Sequence, residues 1–432
     1  VAEPSYAAPP EPPTRVAAWL LLAMSGLVSL SLIGSPGTTD VGLYWLPWMN
    51  HIDSLGTGAA YAAAESDYPP LSFVILRFAH HLGQVMDWDA LTALKTTIFL
   101  VQLLSTGLVL AISGSPMLAA AFSAGVTLNG MGLAYLDLFV APTLLGAFWA
   151  LREGRPVLGT LLFGLSALTK WQPLLIAPFL AIHIFGIDSL RPQALLAVVR
   201  TPLFRRVALV AAGLALVIFM GFGREPLPAL HRATHNAFLS ANVPNLAWLE
   251  QYLWRTLVEG SAGLGDPATF MANVGRPVIW LHKGLFYLAY AATILMAVRG
   301  PKGLAPTILY AITAFLGYVI LSTGVHENHL FTPLLLGFLL AALAPSPSNW
   351  TIAALLAAMA NANLLLFYDL NGRGTDGRLV GIDLSLPMAV LFVAVWVSFM
   401  FGAARQFAPA GEEGRGRFGG APRRHAMARS LR

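Results

Sequence analysis

The feature that most restricts the fold is a series of long, uncharged apolar runs. Residues 16–34 carry no charge over a length sufficient to cross bilayer hydrocarbon, and similar runs recur as far as Met400. In hydrocarbon every backbone N–H and C=O must be satisfied inside the protein, which leaves helices or a closed barrel. Continuous apolar runs, rather than two-residue alternation, select helices. Charged residues make up 11% of the chain and hydrophobic residues 56%, so most of it cannot face water. The expected fold class is all-α, a single polytopic membrane helical bundle. The absence of cysteine excludes disulfides and thiolate chemistry. The formal charge of +5 sits mostly in connecting segments and the tail, where it reports membrane orientation rather than nucleic-acid binding.

Residues 1–15, rich in Pro and Ala, are expected to form a disordered cytoplasmic arm, and residues 16–402 the transmembrane domain. After the first span, crossings are expected near 90–112, 117–130, 134–151, 156–170, 173–187, 207–222, 278–298, 304–322, 331–345, 350–368 and 384–402, about twelve in all. Residues 71–85 are apolar but contain Arg77, His80 and His81, so they are laid flat in the interface. The first outer loop, 35–89, is therefore itself helical. Residues 403–432 are expected to be a disordered, basic cytoplasmic tail that is solvated and touches anionic lipid.

With the amino terminus inside, this topology gathers Arg152, Arg155, Arg191, Arg200, Arg205, Arg206, Arg299, Lys302 and the arginines of the tail on the inner side. Treating 71–85 as a crossing would put Arg152 and the 191–206 segment outside. The outer side then holds 38–70, the turn before Tyr135, Lys170-Trp171-Gln172, a long loop at 223–277, His326-Glu327-Asn328-His329, and 369–383. Nearly every chemically interesting cluster falls on one face.

Asp40 opens the first outer loop, and Asp67-Tyr68-Pro69-Pro70-Leu71 closes it. In a chain this poor in charge, two carboxylates flanked by aromatics and prolines beside a span mark a functional-site candidate. Together with the 132–137 turn and His326-Glu327-Asn328-His329, their order resembles the GT-C superfamily of membrane glycosyltransferases. Within it, the chain resembles bacterial relatives of the GPI-anchor mannosyltransferases and of the glucosyltransferases that extend the N-glycan lipid precursor. The segment from Ser240 to Trp248 is also similar to an Asn-Asn-Leu-Trp pattern of bacterial members. The resemblance covers about residues 16–345. It departs where the usual Gly-Gln-x-Asp turn reads Ala134-Tyr135-Leu136-Asp137, and it does not extend to the last two spans. It implies an inverting, metal-independent enzyme of a bacterial cytoplasmic membrane. Such an enzyme moves a hexose, mannose or glucose, from a polyprenyl-phosphate donor to a glycan, lipid-linked glycan or protein acceptor on the outer face.

Such a transfer needs a carboxylate to take the proton of the attacking hydroxyl. Asp40 is the first choice, because partial burial in an uncharged Gly/Thr/Pro context raises basicity; its alternative is a solvated loop aspartate. Asp67 either caps the helix that starts at Pro69-Pro70 or, with Tyr68, shapes the acceptor side. The leaving phosphate needs fixed positive charge or hydrogen-bond donors. Lys170 is one candidate, against snorkelling to the interface; His326, Glu327 and His329 would hold donor phosphate or sugar, against a plain interfacial polar turn, with His282 a further candidate and Lys283 one for which snorkelling is the favoured reading. The two histidines lack the His-Glu-x-x-His spacing and a third ligand, so no metal or other cofactor is expected.

Asp137, with Asn129 and Tyr135, lines the site or caps a helix. Asn242, Asn245 and Trp248 contact sugar or form ordinary loop turns. His231 and His235 read as an amphipathic surface pair. No GxGxxG or P-loop stands on the inner face, which argues against a nucleotide-driven mechanism. The expected partners are the lipid-linked donor, the acceptor and membrane lipids, with no nucleic acid. Two rival readings remain: a transporter or flippase for a lipid-linked sugar, which would place charge at the midplane and show internal repeats, and a non-catalytic binder of lipid-linked glycan.

Overall fold

Four of the described helices begin where a short polar side chain meets a free amide, three of them just ahead of proline. Asp89 Oδ1 accepts from Thr92 N–H at 3.0 Å at the start of the Ala90–Ser113 helix. Ser115, Thr201 and Ser346 accept in the same way from Leu118, Phe204 and Asn349, and each precedes a proline whose missing N–H is harmless in a first turn. Gly114 and Gly186, at φ +66° and +62°, close two helices in the left-handed conformation.

The computed structural model describes residues 12–258, 272–370, 372–375, 378–379 and 382–407. Within them the chain is helical apart from two pairs of two-residue strands. Most of the expected amino-terminal arm, most of the basic tail, and residues 259–271 of the long loop lie outside the described residues. Seven helices are long and apolar enough to cross a membrane: Thr14–Ser31, Ala90–Ser113, Pro202–Phe222, Arg276–Arg299, Leu304–Leu321, Pro347–Phe367 and Ser385–Arg405. By helix length and hydropathy the chain is a multi-pass membrane protein.

The five other expected crossings coincide with shorter helices. Three are the apolar helices Pro156–Thr169, Gln172–Phe185 and Glu327–Leu343. The other two are the 12-residue helices Pro116–Thr127 and Ala141–Arg152, each extended by five residues of irregular helix, a π turn at Leu128–Gly132 and a 3-10 turn at Leu136–Val140. The segment 71–85 is the Pro70–Met86 helix, which buries Phe73, Leu76, Ala79 and Gly83 on one face and exposes Arg77, His81 and Gln84 on the other. With the helices Leu46–Leu55 and Thr57–Ala63, it makes the stretch between the first two spans helical, as expected. Trp45, Trp48, Tyr61, Tyr68 and Phe73 bind that stretch together by edge-to-face and stacked ring contacts 4.8–5.9 Å apart.

Apolar surfaces alone give helices little reason to associate in hydrocarbon, so small and polar groups set the packing. Gln102 Nε2 donates to Ser29 Oγ (2.8 Å), Ser123 Oγ (3.1 Å) and Thr127 Oγ1 (3.1 Å), joining the Thr14–Ser31, Ala90–Ser113 and Pro116–Thr127 helices. The Leu304–Leu321 helix is the most enclosed of the seven, with 72% of its span buried, whereas Pro202–Phe222 buries none and is the most peripheral.

Candidate active site

Helices that end in π or 3-10 turns leave polar backbone and side chains at the break, and such breaks are tolerated within a membrane bundle where protein surrounds them. Here the irregular turns at Val41–Trp45, Leu128–Gly132, Leu136–Val140, Gln172–Ile176 and Glu327–Leu330 all bear on one polar cluster.

Its centre is an ion pair. Lys170 Nζ donates to Asp137 Oδ1 at 2.5 Å, and the side chains are 8% and 4% exposed. Asn328 Nδ2 donates to the other carboxylate oxygen of Asp137 at 3.1 Å, and the Tyr68 ring lies 5.3 Å from the Lys170 ammonium. Lys170 therefore does not snorkel to an interface; it is enclosed with its counter-ion.

Glu327 is buried beside this pair, its Oε1 accepting from Tyr135 Oη and from Tyr368 Oη (3.0 Å), while its backbone carbonyl accepts from Asn363 (2.9 Å). Asn242, at φ +57°, donates to the Tyr368 hydroxyl at 3.2 Å. His329 is fixed by Gln172 at 2.8 Å, Tyr318 Oη at 3.2 Å and the His326 N–H at 3.3 Å. That backbone N–H donates to His329 Nδ1, and the Gln172 amide meets the ring at Nε2. A parallel pairing of Ser240–Ala241 with Val325–His326 ties the 223–277 stretch to the His326 motif, and Phe238 packs edge-on to the His326 ring at 5.4 Å.

Asp40 stands apart in kind. It is half-buried, begins the helix that includes the Val41–Trp45 π turn, and makes no side-chain hydrogen bond or ion pair within the described residues. Burial pushes its carboxyl up to about 6; Glu327 and Asp67 add to the rise, and His326 and Lys170 oppose it. The charges that act on Asp40 are thus those of Glu327, His326, Lys170 and Asp67. Burial also lowers the His326 imidazole, against the pull of Asp67 and Asp40.

The other expected residues fall differently. Asp67 is exposed, and neither it nor Ser66 caps the Pro70–Met86 helix, whose first residue follows Pro69 without a side-chain cap. Instead Ser66 Oγ accepts from Tyr68 N–H (2.9 Å), and the Asp67 carbonyl accepts from Trp171 Nε1 (2.9 Å). Asn245 is buried as a cap, with Oδ1 accepting from Trp248 N–H at 2.8 Å and Nδ2 donating to Val319 O at 2.9 Å. Trp248 is fully buried against Phe367, Leu366 and Ala389, so its ring is enclosed by protein. His282 is held between Glu250 (2.6 Å) and Leu321 O (3.0 Å), and Lys283 donates to Thr234 O (2.7 Å). His231 and His235 are an exposed, stacked pair, rings 3.9 Å apart. Among the described residues no group of three or more His, Cys, Asp or Glu side chains is arranged to hold a metal.

Four residues of this region had not been singled out. Tyr368 closes the Pro347–Phe367 span, beyond the part of the chain that carried the resemblance, and Asn363 lies a turn earlier. Arg232 donates to Ser66 O at 3.2 and 2.8 Å, docking the 223–277 stretch on the first loop. Lys95 is wholly buried in a span, and a charge in a span was the signal available for it.

The chain matches no protein-family model and no curated protein.

Proposed function

We propose that this protein is a membrane glycosyltransferase of the GT-C type that takes a hexose from a polyprenyl-phosphate donor, with Asp40 as general base. The observation that carries the reading is a half-buried carboxylate, without a hydrogen bond or ion pair among the described residues and poised near 6, on which the charges of Glu327, His326, Lys170 and Asp67 act. A base titrating just below neutral pH is mostly ionised when needed and still basic enough to accept a proton.

In this reading Asp40 removes the acceptor hydroxyl's proton as that oxygen bonds to the anomeric carbon. The bond from that carbon to the phosphate oxygen breaks, and the polyprenyl phosphate leaves with the electron pair. Lys170 and His326 would meet the leaving phosphate. Lys170 acts there as the outer half of its ion pair with Asp137, through the N–H bonds that Asp137 does not use. Glu327, with one oxygen taken by two phenols, is suited to accept from a sugar hydroxyl. The fold would cross the membrane about twelve times, the short helices completing the count, with the cluster on the extracytoplasmic side of a bacterial cytoplasmic membrane.

The test is transfer by the purified protein from radiolabelled polyprenyl-phosphate mannose and glucose into a total lipid and glycan extract, with Asp40→Asn as control. Label in a new product with the wild type alone supports the reading and names the sugar. Saturable donor binding without transfer, in an extract shown to contain acceptor, moves the assignment to a flippase.

A further inference from the structure

Lys95 is the single charge of the Ala90–Ser113 helix, and its side chain is wholly buried. No carboxylate meets it among the described residues. Its Nζ donates to Ser35 Oγ (2.8 Å), to Gly132 O (3.2 Å) and to Met131 O, and Ser35 Oγ reaches the same two carbonyls at 2.9 and 3.2 Å.

A buried ammonium is costly unless something offsets its lost hydration. Here the offset is the carbonyl end of the 116–132 helix, where unsatisfied C=O groups carry the negative pole of the helix. The contacts continue along both chains. Thr38 N–H donates to Leu133 O at 3.0 Å, and Gly37, at φ +75°, lies so close that a Cβ there would come within 3.0 Å of Leu133 O and 3.1 Å of Ala134 Cβ. Two residues beyond Thr38 stands Asp40; directly after Ala134 come Tyr135 and Asp137. One lysine thus clamps the approach to Asp40 onto the turn that carries the Glu327 and Lys170 partners.

We infer that Lys95 is a positioning residue, setting the register between Asp40 and the Tyr135–Asp137 turn through Ser35 and the carbonyls of Met131 and Gly132. Its kinetic consequence rests on the transferase reading; its structural consequence does not. Lys95 touches neither Asp40 nor the cluster's other charged groups, so it acts on geometry alone.

Three variants test this in the full-length protein in detergent. Lys95→Met keeps the stem and loses every donor, Lys95→Gln keeps two N–H donors, and Ser35→Ala removes the hydroxyl through which Lys95 and the Met131 and Gly132 carbonyls hold the Asp40 approach. Two quantities are read: kcat and donor KM of transfer, and hydrogen exchange of the peptide covering residues 32–45. The expected result for Lys95→Met is a kcat lower by about ten- to a hundredfold with little change in donor KM, since small misplacements of a reacting group cost that much. Exchange at 32–45 quickens while the spans keep their protection. Lys95→Gln recovers part of kcat, and Ser35→Ala shifts both readouts in the same direction with a smaller fall in melting temperature than Lys95→Met.

Wild-type kcat and wild-type exchange at 32–45 in folded Lys95→Met overturn the inference. If Lys95→Met does not fold, the same two results in Ser35→Ala overturn it. If the wild type itself transfers no sugar, the transferase reading fails, and the exchange arm alone decides the role of Lys95.

Discussion

Asp137 and Asp40 belong to one cluster, but the protein treats their charges in opposite ways. Asp137 is enclosed with a cation on one oxygen and an amide on the other, both within hydrogen-bond distance. Asp40 has no hydrogen-bond or ion-pair partner among the described residues, and the carboxylates Glu327 and Asp67 push its acidity down further. A carboxylate whose oxygens are taken up by a cation and an amide is a strut; one without a hydrogen bond among the described residues keeps both oxygens open to a substrate proton. The pairing state, rather than the residue type or its nearness to a span, separates support from chemistry in this cluster.

The largest effect that would break this comparison is in activity. Asp40→Asn should lower transfer by about 10²- to 10⁴-fold, the usual worth of a general base. Its stability should move the other way. Because burial favours the protonated acid, the ionised carboxylate lowers stability as pH rises from about 4 to about 6 and keeps it low above that. Asp40→Asn should therefore raise the melting temperature at pH 7.5 and leave it nearly unchanged at pH 4.

Next comes Asp137→Asn, which leaves a buried ammonium unpaired and should cost roughly 3–5 kcal/mol in denaturant unfolding. Adding Lys170→Met to it should restore most of that loss, and failure to do so would show that the pair is not a unit. Tyr368→Phe removes one of two donors to Glu327 and should cost about 1 kcal/mol by the same measurement. The smallest effect is expected of Asp67→Asn. That side chain is exposed, so stability should stay within about 0.5 kcal/mol, while removal of its charge lowers the acid limb of the pH profile slightly.

What the sequence revealed follows from what is local. Apolar runs placed a helix at every expected crossing, although the helices at Pro202 and Pro347 begin before the expected 207 and 350. Asp40 stood out as a candidate because its context is uncharged for several residues on either side. The Asp137–Lys170 pair was not, since its partners are 33 residues apart and meet only because two helices break at the same end of the bundle. Asn245 illustrates an ambiguity of residue chemistry: an asparagine three residues before a tryptophan serves a helix cap as well as it would a sugar, and burial decided for the cap. Lys95 was hidden by the strength of the apolar pattern around it, and its partners are backbone carbonyls, which no sequence displays.

The most direct test of the central claim is the pH dependence of kcat/KM for transfer. An unpartnered Asp40 acting as base predicts an acid limb at about 6 with unit slope, and a lower limb in Glu327→Gln, whose charge no longer pushes Asp40 up. A limb near the ordinary carboxylate value, or a rate that does not change between about pH 5 and pH 7, would contradict it.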